Sequence, residues 1–211
     1  MGIVEIIGVA GSLSLLAGWR LYLTILAVGG AMRYGWLPLP DHLAALQVLA
    51  EPWVLGVAAV GTLAEFLADK VAWVDSLWDM AHTIIRPLGG ALLALALVDA
   101  QDPTWQVIAF LLGGGGALLS HGAKATTRAV VNTSPEPFTN VAVSAGEDIA
   151  TGGLLALTIA FPPLAIGIAL LLGLAAVAVI WILGKLLRSI RSALTGNPAP
   201  APSAMSPVPK E

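Results

Sequence analysis

The sequence has no cysteine, which removes disulfides, thiolate metal ligands and cysteine nucleophiles together. It is also short of charge. Only 11% of its 211 residues are Asp, Glu, Lys or Arg, against about 25% in ordinary soluble domains. No basic stripe with interleaved aromatics is present, and the net charge is −3, so no nucleic-acid partner is expected. Glu5 but no Lys or Arg precedes Arg20, so the amino terminus lacks the basic region of a signal peptide. The first apolar stretch is therefore expected to stay in the protein as a helix.

Apolar residues, by contrast, make up 57% of the chain. A chain of this size must still cover itself with polar groups if it is to live in water. Lipid is the solvent that suits it, and the bilayer is its expected partner. The pattern predicts an all-α, polytopic membrane helix bundle of about six passes, occupying residues 1–194. Residues 195–211, rich in Pro and Ala, are expected to form a disordered cytoplasmic tail.

The first apolar segment, Ile3 to Met32, is long for one crossing and is interrupted at Gly18-Trp19-Arg20, which predicts a tilted or broken helix. Leu37-Pro38-Leu39-Pro40 should end it, since proline cannot continue the hydrogen-bond ladder. A short amphipathic piece from Leu43 to Leu49 is expected at the interface. Pro52 suits the first turn of a second pass reaching Val71. Further passes are predicted over Leu77 to Val98, Thr104 to Val131, Val141 to Ala160 and Leu164 to Leu187. Turns separate them at Gln101-Asp102-Pro103, Ser134-Pro135-Glu136-Pro137 and Pro162-Pro163. The Ser134 to Pro137 stretch reads equally as a loop or as a re-entrant turn. Lys185, Arg188 and Arg191 follow the last pass, which by the positive-inside rule sets the carboxyl terminus in the cytoplasm. Six passes return the amino terminus to the same side. The expected location is a bacterial cytoplasmic (inner) membrane.

Eleven ionisable residues fall within or beside the passes: the acids Glu65, Asp69, Asp75, Asp79, Glu147 and Asp148, and the bases Arg20, Lys70, Arg86, Lys124 and Arg128. At roughly 3 kcal/mol each at mid-membrane, lipid exposure would cost on the order of 30 kcal/mol. A net stability of about 5–15 kcal/mol cannot carry that load, so these groups must face one another. Their spacing agrees. Asp75, Asp79, His82 and Arg86 share one helical face, as do Ser120, Lys124, Arg128 and Asn132, and Ser144, Glu147, Asp148 and Thr151. Three polar stripes on apolar helices should converge on one buried site.

The two halves also resemble each other. Ala64-Glu65-Phe66-Leu67-Ala68 matches Gly146-Glu147-Asp148-Ile149-Ala150, and Arg20 and Lys124 each sit on the first pass of their half. Three passes per half would give a 3+3 inverted repeat, the signature of many secondary transporters.

Several motifs together cover most of the chain up to about residue 190. They are Gly18-x-Arg20-x-Tyr22-Leu23; Glu65-x-x-x-Asp69-Lys70; and Asp75-x-x-x-Asp79-x-x-His82-Thr83-x-x-Arg86-Pro87. Ser120-His121-x-x-Lys124-x-x-x-Arg128 and Ser134-Pro135-Glu136-Pro137-x-x-Asn140-x-x-x-Ser144-x-x-Glu147-Asp148 complete them. In these the chain resembles an uncharacterised family of small bacterial integral membrane proteins that carries a domain-of-unknown-function label. The resemblance implies a membrane protein and no particular activity.

The preferred functional reading is a secondary transporter or flippase for a small anionic or phosphate-bearing solute or lipid head group. Arg20, Arg86, Lys124 and Arg128, with His82, His121 and Asn140, are the candidate substrate-binding residues, because guanidinium matches phosphate in bidentate geometry. Glu65, Asp69, Asp75, Asp79, Glu147 and Asp148 are the candidates for proton or ion coupling, as carboxyls inside membrane helices commonly relay protons. The competing reading is a structural or accessory protein whose ion pairs only fix helix packing. A third is a Mg²⁺-dependent lipid enzyme using Asp75 and Asp79, which lacks a second acidic cluster, so no catalytic residue and no enzyme activity is expected. A channel fits poorly, since mixed signs do not make a selective ring. His82 and His121 have no third ligand nearby in sequence, and neither a metal nor another cofactor is expected. His42 reads as a solvated loop residue, and Gly113 to Gly116 as helix packing. Trp19, Trp36, Trp53, Trp73, Trp105 and Trp181 read mostly as interfacial anchors. A homo-oligomer is compatible with all of this.

Overall fold

A computed structural model of the chain describes residues 3–36, 47–97, 103–132 and 137–194. The expected stop at Leu37 to Pro40, His42, the start of the interfacial piece from Leu43, Gln101-Asp102, Ser134-Pro135-Glu136 and the tail from 195 lie outside them. Among the described residues the fold is all-α: α1 (Ile3–Trp19), α2 (Leu21–Arg33), α3 (Pro52–Ala68), α4 (Ala72–Ala96), α5 (Pro103–Val131), α6 (Pro137–Ala160) and α7 (Ala165–Leu194).

The first apolar segment does break, and at Arg20. Its backbone leaves the helical region (φ −140°, ψ 81°), yet neither of its peptide groups is stranded. Its N–H donates to Leu16 O at 2.8 Å, and its carbonyl accepts from Thr24 N at 3.0 Å and Thr24 Oγ1 at 2.8 Å. Two residues earlier, Gly18 lies so close to α5 that an added Cβ would stand 1.9 Å from Ser120 Oγ and 2.2 Å from Ala117 O. Only glycine allows that approach.

Several helices run longer than predicted. α4 begins at Ala72 rather than Leu77, so Asp75 lies inside it; charges do not stop a helix when they share one buried face. α6 starts at Pro137 rather than Val141, a residue that opens helices well because its missing N–H has no intrahelical partner there. α7 continues past Leu187 to Leu194, carrying Lys185, Arg188 and Arg191 on the helix. No proline or glycine falls between Leu187 and Leu194 to stop it. A 3₁₀ turn, Pro162–Leu164, makes the corner before α7.

α1 and α5 pack together at the centre, and each also touches both α4 and α7; α2 pairs with α3, and α6 lies against α1 and α2. Small residues and hydroxyls make these crossings. Ser120 Oγ donates to Leu15 O at 2.6 Å, Ser14 Oγ to Gly90 O at 3.2 Å and Ser12 Oγ to Ala165 O at 2.6 Å.

Among the described residues the bundle has a mixed interior, rich in buried polar groups, and an apolar exterior. Eighteen buried residues are polar or charged against 22 apolar ones, while Trp53 (86%), Ile149 (77%) and Leu174 (71%) stand exposed. Water-soluble proteins do the reverse with Asp, Glu, Lys and Arg. Two segments, Pro103–Val131 and Pro162–Ala193, are long and apolar enough to cross a membrane.

Candidate functional site

The predicted stripes do turn inward. Asp75, Asp79, His82 and Arg86 of α4 are buried, as are Ser120, His121, Lys124 and Arg128 of α5. α6 contributes buried Asn140, Ser144 and Thr151 and half-buried Glu147 and Asp148, while α3 contributes Glu65 and, just past its end, Asp69. Arg20 enters from the break between α1 and α2. Asn132, at the end of the α5 stripe, is half-buried.

A first lobe forms around Arg86. One guanidinium nitrogen, Nη2, donates to Glu65 Oε1 at 2.6 Å; the other, Nη1, donates to Asp79 Oδ1 at 2.9 Å and to His121 Nδ1 at 2.6 Å. Arginine has no lone pair to offer, so His121 must accept through Nδ1 and is a neutral imidazole with its proton on Nε2. That proton points to Thr83 Oγ1 at 3.2 Å, and Thr83 donates in turn to Asp79 O at 2.9 Å. His82 stands one step outside. Its Nδ1–H donates to Trp78 O at 2.8 Å, and its Nε2 pairs with the Tyr22 hydroxyl at 3.1 Å.

A second lobe has Asp69 at its hub. Arg20 Nη1, Lys124 Nζ (2.9 Å) and Arg128 Nη2 (3.5 Å) all reach the same carboxylate oxygen, Oδ2. Arg20 also pairs with Asp148 at 2.7 Å, and Lys70 joins Asp148 at 3.2 Å and Ser144 Oγ at 2.6 Å. Arg128 pairs with Glu147 at 2.8 Å, donates to Asn140 Oδ1 at 2.7 Å and stands 3.9 Å from Asp75. Asn140 Nδ2 holds the Asp69 carbonyl at 3.2 Å. Lys124, 3.9 Å from Asp79, links the two lobes.

All eleven ionisable residues singled out above belong to this one network. Six acids against five bases leave one formal negative charge. Burying ions costs several kcal/mol each unless geometry and hydrogen bonds compensate, and most do find partners. Spare capacity remains at particular atoms: both oxygens of Asp75, Asp69 Oδ1, Glu65 Oε2, and the Nε of Arg20, Arg86 and Arg128 have no hydrogen-bond partner.

The network is reachable at two places. A groove of about 210 Å³ between α4 and α5 is lined by Ser76, Asp79, Met80, Thr83, Arg128 and Asn132, among others. On the α6 side, Lys70, Glu147 and Asp148 keep 22%, 15% and 24% of their side chains exposed. Within the first lobe Asp79 and Thr83 reach that groove, while the Arg86–Glu65 pair behind them is closed, at 0% and 1% exposed. Asp75 and Asp79, the pair considered for Mg²⁺, face the cations Arg128 and Arg86.

Two contributors are missing from the sequence-derived site, Tyr22 and Thr83; Lys70 and Ser144 are expected in the buried polar cluster but are given no binding or coupling role there. Lys70 follows Asp69 directly, and adjacent residues on a helix diverge. Here the chain leaves α3 in a turn, which lets both point inward. Tyr22 is two residues from Arg20 and becomes a neighbour of His82 only through the packing of α2 on α4.

No curated protein and no solved structure matches the chain. Residues 7–182 match the family described as Domain of unknown function (DUF4126), a span that holds every member of the ion network. The chain belongs to that family.

Proposed function

We propose that the protein spans the bacterial cytoplasmic membrane about six times and acts there as a secondary transporter or flippase for a small anionic or phosphate-bearing solute or head group. The broken pair α1–α2 counts as one pass, followed by α3, α4, α5, α6 and α7. Lys185, Arg188 and Arg191 at the end of α7 favour a cytoplasmic carboxyl terminus.

The observation that carries the reading is the gathering of eleven ions inside a bundle with an apolar exterior, reachable through the α4–α5 groove and the α6 edge. Intramembrane ionisable groups default to function. The central placement of α1 and α5, each against both α4 and α7, is what two related halves of opposite orientation would produce, and it supports the 3+3 repeat.

Charge arithmetic supports coupling. The network already holds one surplus negative charge, so an entering anion must bring protons with it or exchange for another anion. Glu147 and Asp148, the partly exposed acids beside Arg128 and Arg20, are suited to take up those protons. The closed Arg86–Glu65 pair favours a different role, that of holding α3, α4 and α5 together.

The test is flux in proteoliposomes carrying an internal pH-sensitive dye, with a panel of phosphate esters, carboxylates and inorganic phosphate outside. Anion-dependent proton movement in wild type that disappears with Glu147→Gln is the expected result. Equal traces for wild type, Glu147→Gln and empty vesicles across the panel would sink the proposal.

A further inference from the structure

We infer that Arg20, Lys124 and Arg128 form a phosphate-binding site, and that the Asp69 carboxylate is an internal competitor occupying it. The inference deepens the transporter reading and rests on it for the site's biological use, though not for the binding itself.

Three cations converging on one oxygen atom are more than one carboxylate needs. Asp69 uses only Oδ2; its Oδ1 has no hydrogen-bond partner, and neither do the Nε atoms of Arg20 and Arg128. All four residues are at most 3% exposed. Arg20 and Arg128 also hold Asp148 and Glu147, so the unused capacity is Asp69 Oδ1 and the two Nε atoms. A phosphate presents more oxygens to the same three cations, and two guanidinium forks are the groups that bind it bidentately.

The position of Asp69 suits a displaceable occupant. It follows the last residue of α3, in the short turn before α4. Its backbone carbonyl is held by Asn140 Nδ2, so the turn is anchored independently of the side chain's ion pairs. Arg128 lines both this site and the α4–α5 groove, so the groove comes within one side chain of the site. The charged groups around the site from each packed element are Arg20, Lys70, Lys124, Arg128, Asp75, Asp79, Glu147 and Asp148. A phosphate replacing Asp69 leaves their balance nearly unchanged if Asp69 accepts a proton as it withdraws.

The experiment uses the full chain purified in detergent, unfolded thermally while inorganic phosphate is titrated at constant ionic strength. Asp69→Ala should lose melting temperature without phosphate and regain it in a saturable manner. Wild type should need about tenfold more phosphate for the same response, because its site is free only in a minor population. Adding Lys124→Gln to Asp69→Ala should abolish the response. Equal phosphate responses in wild type and Asp69→Ala, or none in either, overturn the inference, as does a response that survives Lys124→Gln. If Asp69→Ala cannot be isolated, Asp69→Asn is read in the same way. If neither folds, recovery of folded protein only when phosphate is present throughout purification supports the site, and failure with phosphate present refutes it. Short-chain phosphatidic acid in place of phosphate separates the sources: rescue by the lipid alone identifies a head group, and rescue by both identifies free phosphate as sufficient. Phosphate binding without flux in vesicles would leave this site standing and remove the transport reading; flux with no phosphate response in Asp69→Ala would do the opposite.

Discussion

Replacing Arg86 by methionine tests the physical core of the structure most directly. Arg86 is fully buried and is the nearest cation to both Glu65 (2.6 Å) and Asp79 (2.9 Å). Without it, Asp79 keeps Lys124 at 3.9 Å, but Glu65 keeps no cation among the described residues. One orphaned buried charge is thus the expected lesion, and breaking a buried pair from one side costs about 3–5 kcal/mol. At 2–4 °C per kcal/mol for a chain of this size, the melting temperature should fall by about 6–20 °C. Methionine fills much of the arginine's volume, so little of that loss comes from a cavity. The assay is thermal unfolding of detergent-purified protein, with Glu65→Gln added as a second step. In the Arg86→Met background Glu65→Gln should restore stability, because it neutralises the orphan; in wild type it should reduce stability, because it strips a partner from Arg86. That reversal of sign is the coupling. A single variant Arg86→Met melting within about 2 °C of wild type would refute the reasoning, and so would losses that simply add.

Gly18→Ala should destabilise the α1–α5 crossing by about 1–3 kcal/mol, since its Cβ would fall 1.9 Å from Ser120 Oγ, whereas Gly30→Ala, with nothing within 4 Å, should not. Matching melting temperatures for the two would show the crossing to be looser than described. His121→Leu removes one of the two acceptors of Arg86 Nη1, leaving Asp79 Oδ1, and should cost about 1.5–3 kcal/mol, with His121→Asn recovering part of it; a Leu variant as stable as wild type contradicts the assigned hydrogen bond. Because the chain has no cysteine, Pro163→Cys and Ala193→Cys can be probed singly with a membrane-impermeant maleimide. The first should label only from outside the cell and the second only in inverted vesicles; labelling of both from one side removes the six-pass topology.

Much of the site is legible in the sequence. The four-residue rhythm of Asp75, Asp79, His82 and Arg86 defines a face through helix geometry alone, and the face is buried. The same holds for Ser120, Lys124 and Arg128. The helix ends were less legible. Ala72, Pro137 and Leu194 extend their helices beyond the apolar runs, because hydropathy marks where a helix is greasy and backbone hydrogen bonding decides where it stops.

Composition and periodicity alone determined that the protein is a helical bundle with an apolar exterior and that its ions gather, since desolvation leaves isolated charges nowhere else to go. Tertiary structure alone decided who pairs with whom. Arg20 and Asp148 lie 128 positions apart, and Asp69 meets Lys124 across 55; no local rule relates such residues, and several pairings would satisfy the same charge count. The packing of α1 and α5 at the centre, tight enough to exclude a methyl at Gly18, selects one of them. It brings three cations to a single oxygen of Asp69.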